Sequence, residues 1–160
     1  LEIEMRTLTV GDIQEITDGL VMGGLTPREL HGWCEHGAIV PVAGGEGYGN
    51  HRQFTPLQVV AIAYAAQWWR YGARISAVKG IINAVISLDE TELRDKFASS
   101  CVVILPSSGV LEVPKDIDVP EEFDLCYLYE AVMQEIERLS SHRPVKTAGR
   151  KRGLMKDEME

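Results

Sequence analysis

The chain has 160 residues, 45% hydrophobic and 25% charged, which fits one main core and excludes wholesale disorder and a membrane-embedded class. Its longest apolar stretch, VVAIAYAA at 59–66, is far shorter than the roughly 20 residues that cross a bilayer, and no basic segment followed by an apolar run marks a secretory leader, so the expected location is cytoplasmic with no membrane partner. The net charge of −8 divides into −4 over residues 1–25, +2 over 26–86, −9 over 87–141 and +3 over 142–160, so attraction for nucleic acid has to come from local placement of arginines in a mildly basic middle.

Thr9 is a natural N-cap, and Val10, Ile13 and Ile16 follow it at helical spacing, which predicts a short first helix broken by DGLVMGG. Thr26-Pro27 restarts a helix: the threonine caps free amides, the proline suits the first helical position, and Glu29 completes a capping box. Leu30, Trp33 and Cys34 share one face of this second helix, Arg28, His31, Gly32 and Glu35 take the others, and Gly37 ends it. Residues 38–42 read as an extended piece, GGEGYGN as a turn, and His51-Arg52-Gln53-Phe54 as a second short strand. Together they predict a hairpin, or wing.

Thr55-Pro56 repeats the capped start, and Leu57, Val60, Ala61, Tyr64, Ala65 and Trp68 form a stripe ending before Gly72. This helix is apolar nearly all round, which calls for cover from another element or subunit. Trp33 and Trp68 read as core, whereas Trp69 is assigned to a dimer contact or an effector pocket. Another helix follows at about 75–86, and Ser87 with Glu90 suggests a capping box for a short helix to about Phe97. CVVILP, SSG and VLEVP read as a β-hairpin, and Leu128, Ala131, Val132, Glu135, Ile136 and Leu139 as a last helix that begins after a strand residue or two. Residues 142–160, with RPVKTAGRKRG, are expected to be disordered.

A helix, a turn, a capped second helix and a hairpin ending in arginine can meet DNA, with the second helix in the major groove and flanking groups on phosphate. Arg28 and His31 lie near the start of that helix. Arg52 is expected to project from the hairpin beside Tyr48, Asn50 and His51 onto a phosphate, and Arg70 and Arg74 bracket Gly72 where they can add phosphate contacts. LTPRELHGWCEHGAIVP followed by YGNHRQFTPLQVVAIAYAAQWWRYGARISAVKGII resembles the DNA-binding module of the MerR family of bacterial transcription regulators. Thr26-Pro27-Arg28, Gly37, Arg52 with Phe54, Thr55 and Gly72 carry the resemblance, over residues 10–86. Gly32 stands where the family has a tyrosine, His31 fills a basic position, Arg74 replaces a small N-capping residue, and 18–23 reads as an insertion. The resemblance implies a homodimer on palindromic double-stranded DNA at promoters, which meets RNA polymerase only indirectly.

The expected fold is therefore mainly α (α+β): a winged helix-turn-helix module over 1–86, then a C-terminal α/β element over 87–141 made of a small β-hairpin plus a C-terminal helix. That last helix, at 127–139, is expected to dimerise. The expected DNA-binding residues are Thr26, Arg28, His31, Tyr48, Asn50, His51, Arg52, Arg70 and Arg74. His31, Cys34 and His36 do not share one helix face and lack a second ligand cluster, so no metal is expected. Cys34, Cys101 and Cys126 are odd in number and widely spaced, which suggests reduced thiols. There is no phosphate-loop, triad or cofactor fingerprint, so neither catalysis nor a cofactor is expected. The alternatives are a phage excisionase-like or architectural DNA-binding accessory, and a protein-interaction adaptor that has lost DNA binding.

Overall fold

Three threonines open helices in the same way. Thr9, Thr26 and Thr55 hold extended backbone, and each hydroxyl accepts the third helical N–H, from Asp12, Glu29 and Gln58. The side chains of those three residues return to the threonine N–H groups, completing reciprocal capping boxes. They start α1 (Val10–Leu20), α2 (Pro27–Glu35) and α3 (Pro56–Arg70). The computed structural model describes residues 6–44, 51–96, 100–106 and 109–142. Further along lie α4 (Ile75–Ile86), α5 (Glu90–Lys96), a 3-10 turn (Glu121–Phe123) and α6 (Leu125–His142). Strands β1 (Leu8–Thr9) and β2 (Gln53–Phe54) form one antiparallel pair, and β3 (Ser100–Leu105) and β4 (Gly109–Pro114) form another. The described architecture is mainly helical α+β.

Several boundaries differ from the sequence expectation. α1 runs through Asp18 to Leu20, so 18–23 is in part helix rather than an inserted loop. The remaining link to α2 turns through Gly23 and Gly24, and at Gly24 (φ +62°) a Cβ would collide with the Asp18 carboxylate. α5 is capped by Asp89, which accepts the Thr91 N–H at 2.9 Å, while Ser87 closes α4 by donating to the Asn83 carbonyl. α6 starts directly at Leu125 because buried Asp124 accepts the Cys126 N–H at 3.1 Å.

The expected wing is reduced, among the described residues, to one bridge between Ala43 and Gln53. β2 pairs instead with β1, setting Leu8 opposite Phe54 in the core. Gly44 (φ +67°) is required beside that bridge, since a Cβ would enter the His51 carbonyl. Tyr48 and Asn50 lie outside the described residues.

α3 is buried from Gln58 to Gln67. Its cover comes from within the chain, chiefly α4 on one side and α6 on another, with α1 and the 3-10 turn completing it. The expected division at residue 86 is not a division of the core: one apolar cluster runs from Leu8 to Leu139. The Tyr64 hydroxyl joins the two parts, accepting the Ile104 N–H and donating to the Phe123 carbonyl, both at 2.9 Å. α6, the helix expected to dimerise, also packs within the chain. Its apolar face of Leu128, Val132, Ile136 and Leu139 is buried in the protomer, with α6 packed on α1, α3, α5 and β3. Among the described residues no helix is long and apolar enough to cross a membrane.

Candidate nucleic-acid interface

Two of the capped helix starts open onto the same cleft. Thr9, Val10 and Gly11 of α1, Pro27, Arg28, Leu30 and His31 of α2, and Arg52 just before β2 line a cavity of about 560 Å³. The β1–β2 pairing brings the first turn of α1 beside Arg52, since Thr9 lies opposite Gln53. Each helix has spent one first-turn amide on its threonine cap, and Pro27 has none. The N–H groups of Val10, Gly11 and Arg28 have no acceptor within their own helices. Their partial positive charge and the helix dipoles favour an anion between the two starts.

Among the described residues no carboxylate lines this cleft. Asp12 and Glu29 turn back to the Thr9 and Thr26 N–H groups, at 3.0 Å each. Glu29 also accepts from Trp69 Nε1 at 3.0 Å and from Arg70 Nη2 at 2.6 Å. Partial burial pushes its pKa up, but the Thr26 N–H, the Trp69 indole and the Arg70 guanidinium outweigh burial and hold it at about 2. Trp69 therefore anchors α3 to α2, edge-on to Trp33 at 5.6 Å, instead of facing a dimer contact or an effector.

Arg52 does not project onto solvent. Its side chain is only 3% exposed and folds back onto α2, donating from Nη1 to His31 Nδ1 at 2.8 Å and from Nη2 to Glu35 Oε2 at 3.2 Å. A guanidinium taken out of water has to be paired, so Arg52 forms part of the cleft wall and cannot reach out from a hairpin tip. Its pairing also fixes the neighbouring ring. Arginine has no acceptor, so His31 Nδ1 is unprotonated and the neutral imidazole carries its proton on Nε2. His31 is half-exposed at the cleft.

The other expected contacts separate into those at the cleft and those away from it. Arg28 is exposed and lines it. Thr26 is exposed at the start of α2, and His51 is exposed near Arg52 in the chain. Arg70 is occupied elsewhere: Nε and Nη2 donate to the Gly24 carbonyl at 3.1 and 2.8 Å, tying α3 to the α1–α2 link. Arg74 is exposed at the start of α4, where its side chain makes no capping bond, and does not line the cleft. Val10 and Gly11 were not among the expected contacts. Their signal was the Thr9 cap, which marks a second helix start with free amides.

Two of the three cysteines lie in the core. Cys101 and Cys126 are buried, and burial, reinforced by Asp124, pushes the Cys126 thiol up to about 11. The protein is mainly helical α+β, and its cleft brings two helix N-termini together with Arg28, His31 and Arg52. No protein-family model matches this chain, and no curated protein matches it.

Proposed function

We propose that this chain is a sequence-specific double-stranded-DNA-binding transcription regulator, with α1 and α2 as a MerR-like helix-turn-helix. The observation that carries this reading is the convergence of the two helix starts, with Arg28 and His31, on one cleft that no carboxylate of the described residues lines. A strand phosphate seated there accepts from the Gly11 and Arg28 amides, while the first turn of α2 lies against the major groove. Arg28 and the Nε2–H of His31 are then the side-chain donors nearest the bases. Arg52 acts by holding α2 and His31 in place. The negative charge of the remainder makes binding local and strongly salt-dependent.

Fluorescence anisotropy with random duplexes, followed by selection of bound sequences, tests the reading. Arg28→Ala should weaken binding and reduce the dependence on log salt by about one unit if it holds a phosphate. Gly11→Asp is the sharper variant. An acidic side chain in a first helical turn favours the helix, and a Cβ at this position meets Thr9 Oγ1 only at an ordinary contact distance of 3.8 Å, so the fold is retained while the phosphate seat is blocked. Absence of duplex binding at low salt would overturn the proposal in favour of an interaction adaptor. Binding without an enriched motif would favour an architectural role.

A further inference from the structure

We propose that the outer edge of β4 pairs antiparallel with β4 of a second copy of this chain, about a two-fold axis at Leu111. The β3–β4 register sets Val102 opposite Glu112 and Ile104 opposite Val110. Two bonds reveal which way these backbones face. The Val102 N–H is taken by Asp124 Oδ1 at 3.1 Å and the Ile104 N–H by the Tyr64 hydroxyl at 2.9 Å. Both therefore point away from β4, and 102–112 and 104–110 are the non-hydrogen-bonded pairs of the ladder. By the same alternation, the N–H and C=O of Val110 and Glu112 point away from β3, to an edge that no strand of the described residues pairs. The opposite edge of the sheet is already closed by Asp124 and Tyr64.

The exposed edge is complementary to itself. Centring it on Leu111 sets Val110 opposite Glu112 of the second copy and Glu112 opposite its Val110, so both residues of each strand exchange N–H and C=O bonds. Leu111 then meets Leu111 in the closer, non-hydrogen-bonded position. Pro114, which has no N–H to give, falls opposite residue 108, beyond the end of β4. Apolar surface collects on both sides: Val110, Leu111 and Ile117 are 49, 48 and 51% exposed. An isolated two-stranded ribbon with such an edge is a ready template for another strand. The two Glu112 carboxylates near the axis are each already engaged, by Lys96 Nζ at 3.0 Å and the Ser100 hydroxyl at 2.9 Å, which removes the charge that would oppose a like copy.

Sedimentation equilibrium and amide exchange on the full chain test this. The wild type should approach twice 17.8 kDa over the micromolar range, with the Val110 and Glu112 amides protected at high concentration and exchanging faster on dilution. Val110→Pro removes an edge N–H that β3 does not use, a change edge strands tolerate, and Leu111→Lys sets like charges opposite one another. Each should raise the dimer Kd by roughly tenfold or more. A wild type at 17.8 kDa throughout, two variants that dimerise as the wild type does, or edge protection that ignores concentration would each overturn the proposal. The last outcome would mean that another part of the same chain covers the edge. A monomer that still binds duplex DNA would reject the dimer and leave the DNA reading standing.

Discussion

Glu29 joins α2 to α3 beneath the cleft through the Thr26 cap, the Trp69 indole and Arg70. Because its carboxyl titrates at about 2 when folded, against an ordinary 4.5, it binds its proton more readily in the unfolded chain. Its stabilising contribution is therefore complete above about pH 4.5 and is lost as pH falls toward about 2. The Tm advantage of wild type over Glu29→Gln should shrink across that window, followed by tryptophan fluorescence during heating. Arg52 and Arg28 line the same cleft with opposite consequences for the fold. Arg52→Ala removes charge-assisted bonds from a buried position and should cost about 2 kcal/mol, lowering Tm by about 4–8 °C. Arg28→Ala, on an exposed side chain, should stay within about 0.5 kcal/mol of wild type by the same calorimetry. Sequence spacing could place both arginines near α2, but it could not tell which was in solvent.

At the scale of elements, the helix starts were legible because a capping box is local: a threonine, its third neighbour and often a proline suffice. The threonine-capped starts of α1, α2 and α3 follow that rule. The pairing of β1 with β2 was not legible, because Leu8 and Phe54 are far apart in sequence and β1 is too short to show alternation. The tie from α3 to β3 through the Tyr64 hydroxyl was not legible either. Burial pushes the Tyr64 phenol up to about 12, so it keeps the proton it donates to Phe123 while accepting from Ile104. Tyr64→Phe leaves a buried N–H and a carbonyl without that partner. It should cost about 1–3 kcal/mol in chemical denaturation, with faster exchange of the Ile104 amide.

For the whole molecule, the single apolar cluster has an energetic consequence. α3 has apolar residues all round and is buried between α4 and α6, so residues 1–86 alone would expose the surface that α6 covers. A chain ending at 86 should lack a cooperative thermal transition, while the full chain should show coincident unfolding by far-ultraviolet circular dichroism and tryptophan fluorescence. A sharp melt of the shorter chain would show that the first half is a domain of its own. Composition and periodicity could not reveal this dependence. A helix that needs cover looks the same whether the cover is a partner subunit or a segment sixty residues later.

Short-range capping, periodicity and turn chemistry were enough to place most of the helix starts, the β3–β4 hairpin and a cationic start to α2. Long-range packing set the start of α1 beside α2 at one cleft and folded Arg52 into its wall. It also decided that α6 is spent on the protomer's own core, leaving the edge of β4 outward. These are contacts between residues distant along the chain, and their outcome depends on which competing surface is buried first by its neighbours, a choice no local pattern records.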